Sequence, residues 1–142
     1  MTRMPRGERD ARGVVSLEFV LMLPFLLMVL LGIIDSSLIL CDKAVITNAS
    51  REAARAGVVV RVPMMSTTDV RNVALNYTQN GLITGGTATT PNVTVTQANG
   101  TTSGSALTVS VTYTYTGLML GSAFSALTGP VTISATTVMN YE

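Results

Sequence analysis

The sequence predicts an α+β fold. A long N-terminal transmembrane helix continues into a small extracytoplasmic domain, built from a short helix and a three-stranded antiparallel sheet. Three observations carry this. Phe19 to Ile34 form an apolar run without a single charge. The stretch that follows, residues 42–60 (DKAVITNASREAARAGVVV), is Ala-rich and free of proline, so the helix has no reason to stop at the end of the apolar run. The second half of the chain is threonine-rich and alternates apolar and polar residues with a period of two.

The composition agrees. Charged residues make up 12% of the 142 residues and hydrophobic ones 47%, where a soluble domain carries about 25% charge. Part of the chain is therefore built for a solvent other than water. All nine basic residues fall in the first half, and after Arg71 the only charge is Glu142. A net charge of +1 gives no argument for nucleic acid. Cys41 is the only cysteine and histidine is absent. These absences exclude an intramolecular disulfide and remove the commonest general base and metal ligand. No phosphate-binding loop or nucleophile–base arrangement is present, so neither catalysis nor a cofactor or metal is expected.

Along the chain, residues 1–13 are polar and Arg-rich and contain Pro5, Gly7 and Gly13, which reads as a disordered cytoplasmic leader. Residues 14–41 form the expected transmembrane helix. The uncharged core alone is roughly 24 Å long at ~1.5 Å per residue, short of a bilayer core of about 30 Å. A full span therefore takes in Glu18 near the Arg-rich side and Asp35 near the far interface. The four arginines before the run favour a cytoplasmic N-terminus. Pro24 reads as a tolerated kink and Cys41 as a buried or interfacial thiol.

Residues 42–142 form the expected extracytoplasmic domain. Ala49, Ala53 and Gly57 recur every four residues on one helical face. They either cover the domain's own sheet or admit the backbone of another subunit. Arg51, Glu52 and Arg55 lie on the same helix as a solvated face or a contact to partners. Pro63 is expected to end the helix. Ser66–Asn80 reads as the short helix, capped by Thr67 or Thr68, with Val70, Val73, Ala74 and Tyr77 as its apolar stripe. Three strands follow: one around Val93 and Val95, one over Leu107–Thr116, and one over Val131–Tyr141 with Val131, Ile133, Ala135 and Met139 on one face. A connection over 117–130 carries Leu118, Leu120, Phe124 and Leu127. Three strands with one apolar face need a helix over that face.

A carboxylate inside an apolar helix costs roughly 2.5–3.5 kcal/mol at its centre, so Glu18 needs a reason. The run Arg12-Gly13-Val14-Val15-Ser16-Leu17-Glu18-Phe19, then the apolar stretch with Pro24, resembles the TadE-like family of tight-adherence (Tad) pilus proteins. Asn48-Ala49-Ser50-Arg51-Glu52-Ala53-Ala54-Arg55-Ala56-Gly57 is similar to the second half of that family's pattern. The resemblance covers roughly residues 12–57 and implies an accessory (minor) pilin or pseudopilin in a bacterial type IV-related pilus used in adhesion. It also implies an inner-membrane location, other pilins and Tad assembly machinery as partners, and a prepilin peptidase acting between Gly13 and Val14. Glu18 would be the recognition and assembly residue, with Phe19 beside it. The alternative is a membrane-tethered binding or adhesion module that never enters a filament.

Overall fold

The computed structural model describes residues 7–83, 89–116 and 130–142, with side chains from Val14 onward. Helix α1 spans Gly7–Val58 and helix α2 Thr67–Gln79. Strands β1 (Asn92–Gln97), β2 (Ala106–Tyr115) and β3 (Val131–Asn140) form one antiparallel sheet in the order β1-β2-β3. The chain divides into two units, Met1–Ile34 and Asp35–Glu142.

Among the described residues, the first unit consists of the N-terminal part of α1. It is helical from Gly7, so the second half of the leader is regular rather than disordered. Local hydrogen bonding along the helix satisfies this backbone, and neither Gly7 nor Gly13 stops it. Pro24 lies inside the helix. Every residue from Val14 to Leu30 is exposed, and this stretch belongs to a helix long and apolar enough to cross a membrane.

In the second unit α1 ends at Val58, five residues before Pro63. α2 is capped by Ser66, one residue earlier than expected. The Ser66 Oγ accepts from the Asp69 N–H at 3.1 Å while the Asp69 carboxylate accepts from the Ser66 N–H at 3.3 Å, which closes a reciprocal capping box. The buried stripe of α2 is Val70, Ala74 and Thr78. Tyr77 is exposed instead, because the Thr78 hydroxyl bonds the Leu75 carbonyl at 2.8 Å and is thereby satisfied inside.

The sheet follows the alternation closely. Leu107, Val109, Val111, Tyr113 and Tyr115 of β2 are all buried, and the residues between them half-buried. Val111 pairs with Val93 on one side and Ala135 on the other, one cross-strand row of the core. β3 stops at Asn140, although Tyr141 is also buried and its hydroxyl accepts from Gln97 at 2.8 Å. Val131 is half exposed, so the inner face of β3 begins effectively at Ile133. The connection over 117–130 lies outside the described residues apart from Pro130.

Both helices cover the inner face, as a three-stranded sheet requires. Ile46, Ala53 and Ala54 of α1 and Val70 and Ala74 of α2 share one core with the strands. Contacts along α1 also fix the strand directions. Asp35 meets Tyr115 and Gly57 meets Leu107, so β2 runs against α1. Lys43 bonds the Ser134 carbonyl and Ser50 bonds Thr137, so β3 runs with α1.

Candidate functional site

Gly13, Val14, Glu18 and Phe19 belong to the first unit, all within α1. Glu18 is exposed and Phe19 is 62% exposed. The carboxylate therefore stands on a helix whose neighbours are apolar and bare. Val14 and Glu18 are four residues apart, one turn, so they lie on the same helical face. An amine placed on Val14 would be within reach of the Glu18 carboxylate.

Ala49, Ala53, Gly57, Arg51, Glu52 and Arg55 belong to the second unit. Ala49, Ala53 and Gly57 are buried against the domain's own core, so the small-residue face is taken up internally and is not offered to another subunit. Gly57 is the tightest point. A Cβ there would stand 2.5 Å from Leu107 Cδ2 and 2.9 Å from Val70 Cγ2. Glycine is present because two fully buried methyl groups fill the place of its side chain. Gly57→Ala gains about 1 kcal/mol of helix propensity and loses about 1–3 kcal/mol to overpacking. The expected outcome is a net loss, with thermal unfolding of the full chain in detergent several degrees lower. A higher midpoint would show that Leu107 and Val70 yield freely. Arg51, Glu52 and Arg55 are exposed on the outer side of the helix.

Two acids on α1 were not legible as domain clips. Asp35 Oδ1 accepts from the Tyr115 hydroxyl at 3.3 Å. Asp42 is buried, and its Oδ1 accepts the Ile83 N–H at 2.8 Å, fastening the segment after α2 to α1. Its Oδ2 has no hydrogen-bond partner among the described residues. Burial raises the Asp42 carboxyl above its ordinary value, and the Ile83 N–H opposes that in part. Because the folded pKa lies above the unfolded one, folding favours the neutral carboxyl. This contribution is present below the ordinary carboxylate range and is lost as pH rises through the raised value. Nearby, burial raises the Tyr113 phenol, the Thr89 hydroxyl lowers it, and the Asp42 charge raises it further. Cys41 is exposed, so of the buried and interfacial placements expected for its thiol the buried one does not hold. Among the described residues no group of three or more metal-ligating side chains comes together.

No curated protein and no solved structure matches the chain. A family model described as TadE-like protein matches residues 13–55, from the glycine before the apolar helix to the last arginine of α1. The similarity to TadE-like proteins is thus confined to residues 13–55.

Proposed function

We propose that the chain is an accessory (minor) pilin or pseudopilin, anchored in a bacterial inner membrane, which takes part in assembling a Tad-type surface pilus used in adhesion. The observation that carries this reading is the TadE-like match over residues 13–55, whose first part is a bare apolar helical stretch, Val14–Leu30, with Glu18 as its single carboxylate. The N-terminus faces the cytoplasm and the domain after residue 41 faces outward, in keeping with the four arginines before the apolar run. Other pilins and the Tad machinery are its partners.

A prepilin peptidase removes the leader between Gly13 and Val14. Both residues are helical here, so cutting requires local unwinding. Gly13 lowers that cost, since glycine is about 1 kcal/mol less favourable than alanine in a helix. N-terminal sequencing of the protein purified from membranes of a piliated bacterium should read Val14-Val15-Ser16. A chain that keeps Met1 while pili form would overturn the processing step and favour a membrane-tethered module that never enters a filament.

A further inference from the structure

No linker separates the apolar run from the folded domain. The run ends at Ile34, and the second unit begins at Asp35, the next residue. Within that unit Asp35 marks the level of one end of the sheet. Its carboxylate meets the Tyr115 hydroxyl at 3.3 Å, and Tyr115 pairs with Val131. Gly57, near the other end of α1, meets Leu107, which pairs with Met139. The last residue of β2 and the first of β3 are therefore the part of the sheet level with Asp35.

Charge is graded along the same axis. Among the described residues the Asp35 end of the domain holds two acids and no base. Asp35 accepts from Tyr115, and Asp42 is fully buried. The first exposed charge of this unit on α1 is Lys43, which stands about 12 Å past Asp35 at ~1.5 Å per residue. Other exposed charges gather toward the far end. Arg55 is beside Gly57, and Asp69 and Arg71 flank Val70, which touches Gly57. Glu142 follows Tyr141, whose N–H bonds the Ser105 carbonyl just before β2 begins. The Asp35 end instead exposes apolar side chains: Val131 is 44% exposed and Leu40 70%. Residues 117–129, which join the two strands, add no charge to the sequence here.

We propose that this end of the domain, at Leu40, Tyr115, Pro130 and Val131, seats in the headgroup layer of the bilayer that the apolar helix enters, as a second membrane contact. The proposal rests on the membrane anchor of the reading above and not on a role in pilus assembly. Position argues for lipid as the occupant. A helix from Val14 to Ile34 is about 31 Å long, which fills a hydrocarbon core of about 30 Å without Asp35. The headgroup layer beyond it is about 5–7 Å deep on each side. Tyr115, bonded directly to Asp35, lies within reach of that layer, and Val131 shares its level across the ladder. Chemistry argues for lipid as well. The interface accepts an aromatic ring with a polar tip and exposed apolar side chains. It disfavours unpaired acids, and the two acids at this end are bonded or buried. Lys43 clears the layer, so its ammonium stays hydrated.

The test uses the full chain in vesicles of phosphatidylethanolamine and phosphatidylglycerol. Cys41→Ser removes the native thiol, which is exposed, so the core is untouched. A nitroxide is then attached through Phe25→Cys, Val131→Cys or Thr101→Cys, and its collisions with oxygen and with a water-soluble nickel chelate are measured. Phe25 reports the hydrocarbon. Thr101, exposed in the turn before β2, reports water. The Val131 label should meet nickel about threefold less often than the Thr101 label and oxygen at least as often, as a headgroup position requires. Thr132→Cys, exposed on the other face of the same strand end, should behave alike, which guards against a fold disturbed at Val131. Equal nickel collisions at Val131 and Thr101, with Phe25 in lipid, would overturn the proposal and leave the anchor standing. Loss of both oxygen and nickel collisions at Val131 would show that protein covers it and would overturn the proposal too. So would broadening between Val131 labels that unlabelled chain dilutes away, the mark of a second copy. A Phe25 label in water would remove the anchor and the proposal together.

Discussion

Val111→Asp should unfold the domain, whereas Thr112→Asp one residue later should leave it standing. Val111 is fully buried at the centre of β2, between Val93 and Ala135 and under the two helices. A carboxylate placed there finds no cation among the core residues around it. Strand neighbours spend their backbone groups on each other, and α1 and α2 present Ile46, Ala53, Ala54, Val70 and Ala74 to the core. Breaking such a site with an unpaired charge costs about 3–5 kcal/mol, a large share of the 5–15 kcal/mol that holds an ordinary domain together. Thr112 points the other way. It is half-buried on the outer face, flanked by Asn92 and Ser134, where a new carboxylate stays hydrated and costs about 0.5–1 kcal/mol in strand propensity. Limited proteolysis of both variants in membranes should digest Val111→Asp within the time that leaves Thr112→Asp and the parent chain intact. Equal resistance of the two would mean that the faces of β2 are assigned the wrong way round.

That contrast rests on a periodicity visible in the chain itself, and so does most of the fold. β2 was legible because five apolar residues alternate with hydroxyl residues, and no rule competes with that pattern. α1 was legible because between Val14 and Val58 only Pro24 and the widely separated Gly32 and Gly57 oppose a helix strongly. What escaped was decided by single contacts at long range. Tyr77 lies at a helical spacing that suits a core, but Thr78 takes the buried place by bonding backward to its own helix. Asp42 follows an apolar run and reads as a polar boundary. It is enclosed because Ile83, 41 residues later, brings a backbone N–H to it. The stripe Ala49–Ala53–Gly57 announces close packing in either reading. Only Leu107 and Val70, pressed against Gly57, decide that the close neighbour is the chain's own core. The anchor signature was legible for a different reason. A carboxylate four residues past a prospective amine, inside an apolar helix, has an electrostatic cost that packing does not explain.

That cost gives Glu18→Gln and Gly13→Asp their opposite signatures. Removal of the leader after Gly13 leaves an amine on Val14, and this amine and the Glu18 carboxylate then share a region of low dielectric. Pairing them, within one chain or between neighbouring subunits, offsets much of the desolvation of each. Glu18→Gln keeps the size of the side chain and removes its charge. Membrane insertion should hold or improve, because a charge at membrane depth costs up to roughly 2.5–3.5 kcal/mol. Association with other pilins should weaken, and loss of even ~1.4 kcal/mol of pairing is tenfold in an equilibrium. Surface piliation in a complementation assay should therefore fall by about that factor or more, while the amount of protein in the membrane does not. Gly13→Asp acts earlier. It adds a side chain at the scissile bond, so the protein should keep its Arg-rich leader and run more slowly on a gel. Its membrane level should again be unchanged. Assembly and processing are thereby read separately, by pilus count and by mobility. Full piliation with Glu18→Gln, together with wild-type mobility of Gly13→Asp, would remove the basis for a processed pilin. The apolar helix would then serve only as a tether for the domain that follows it.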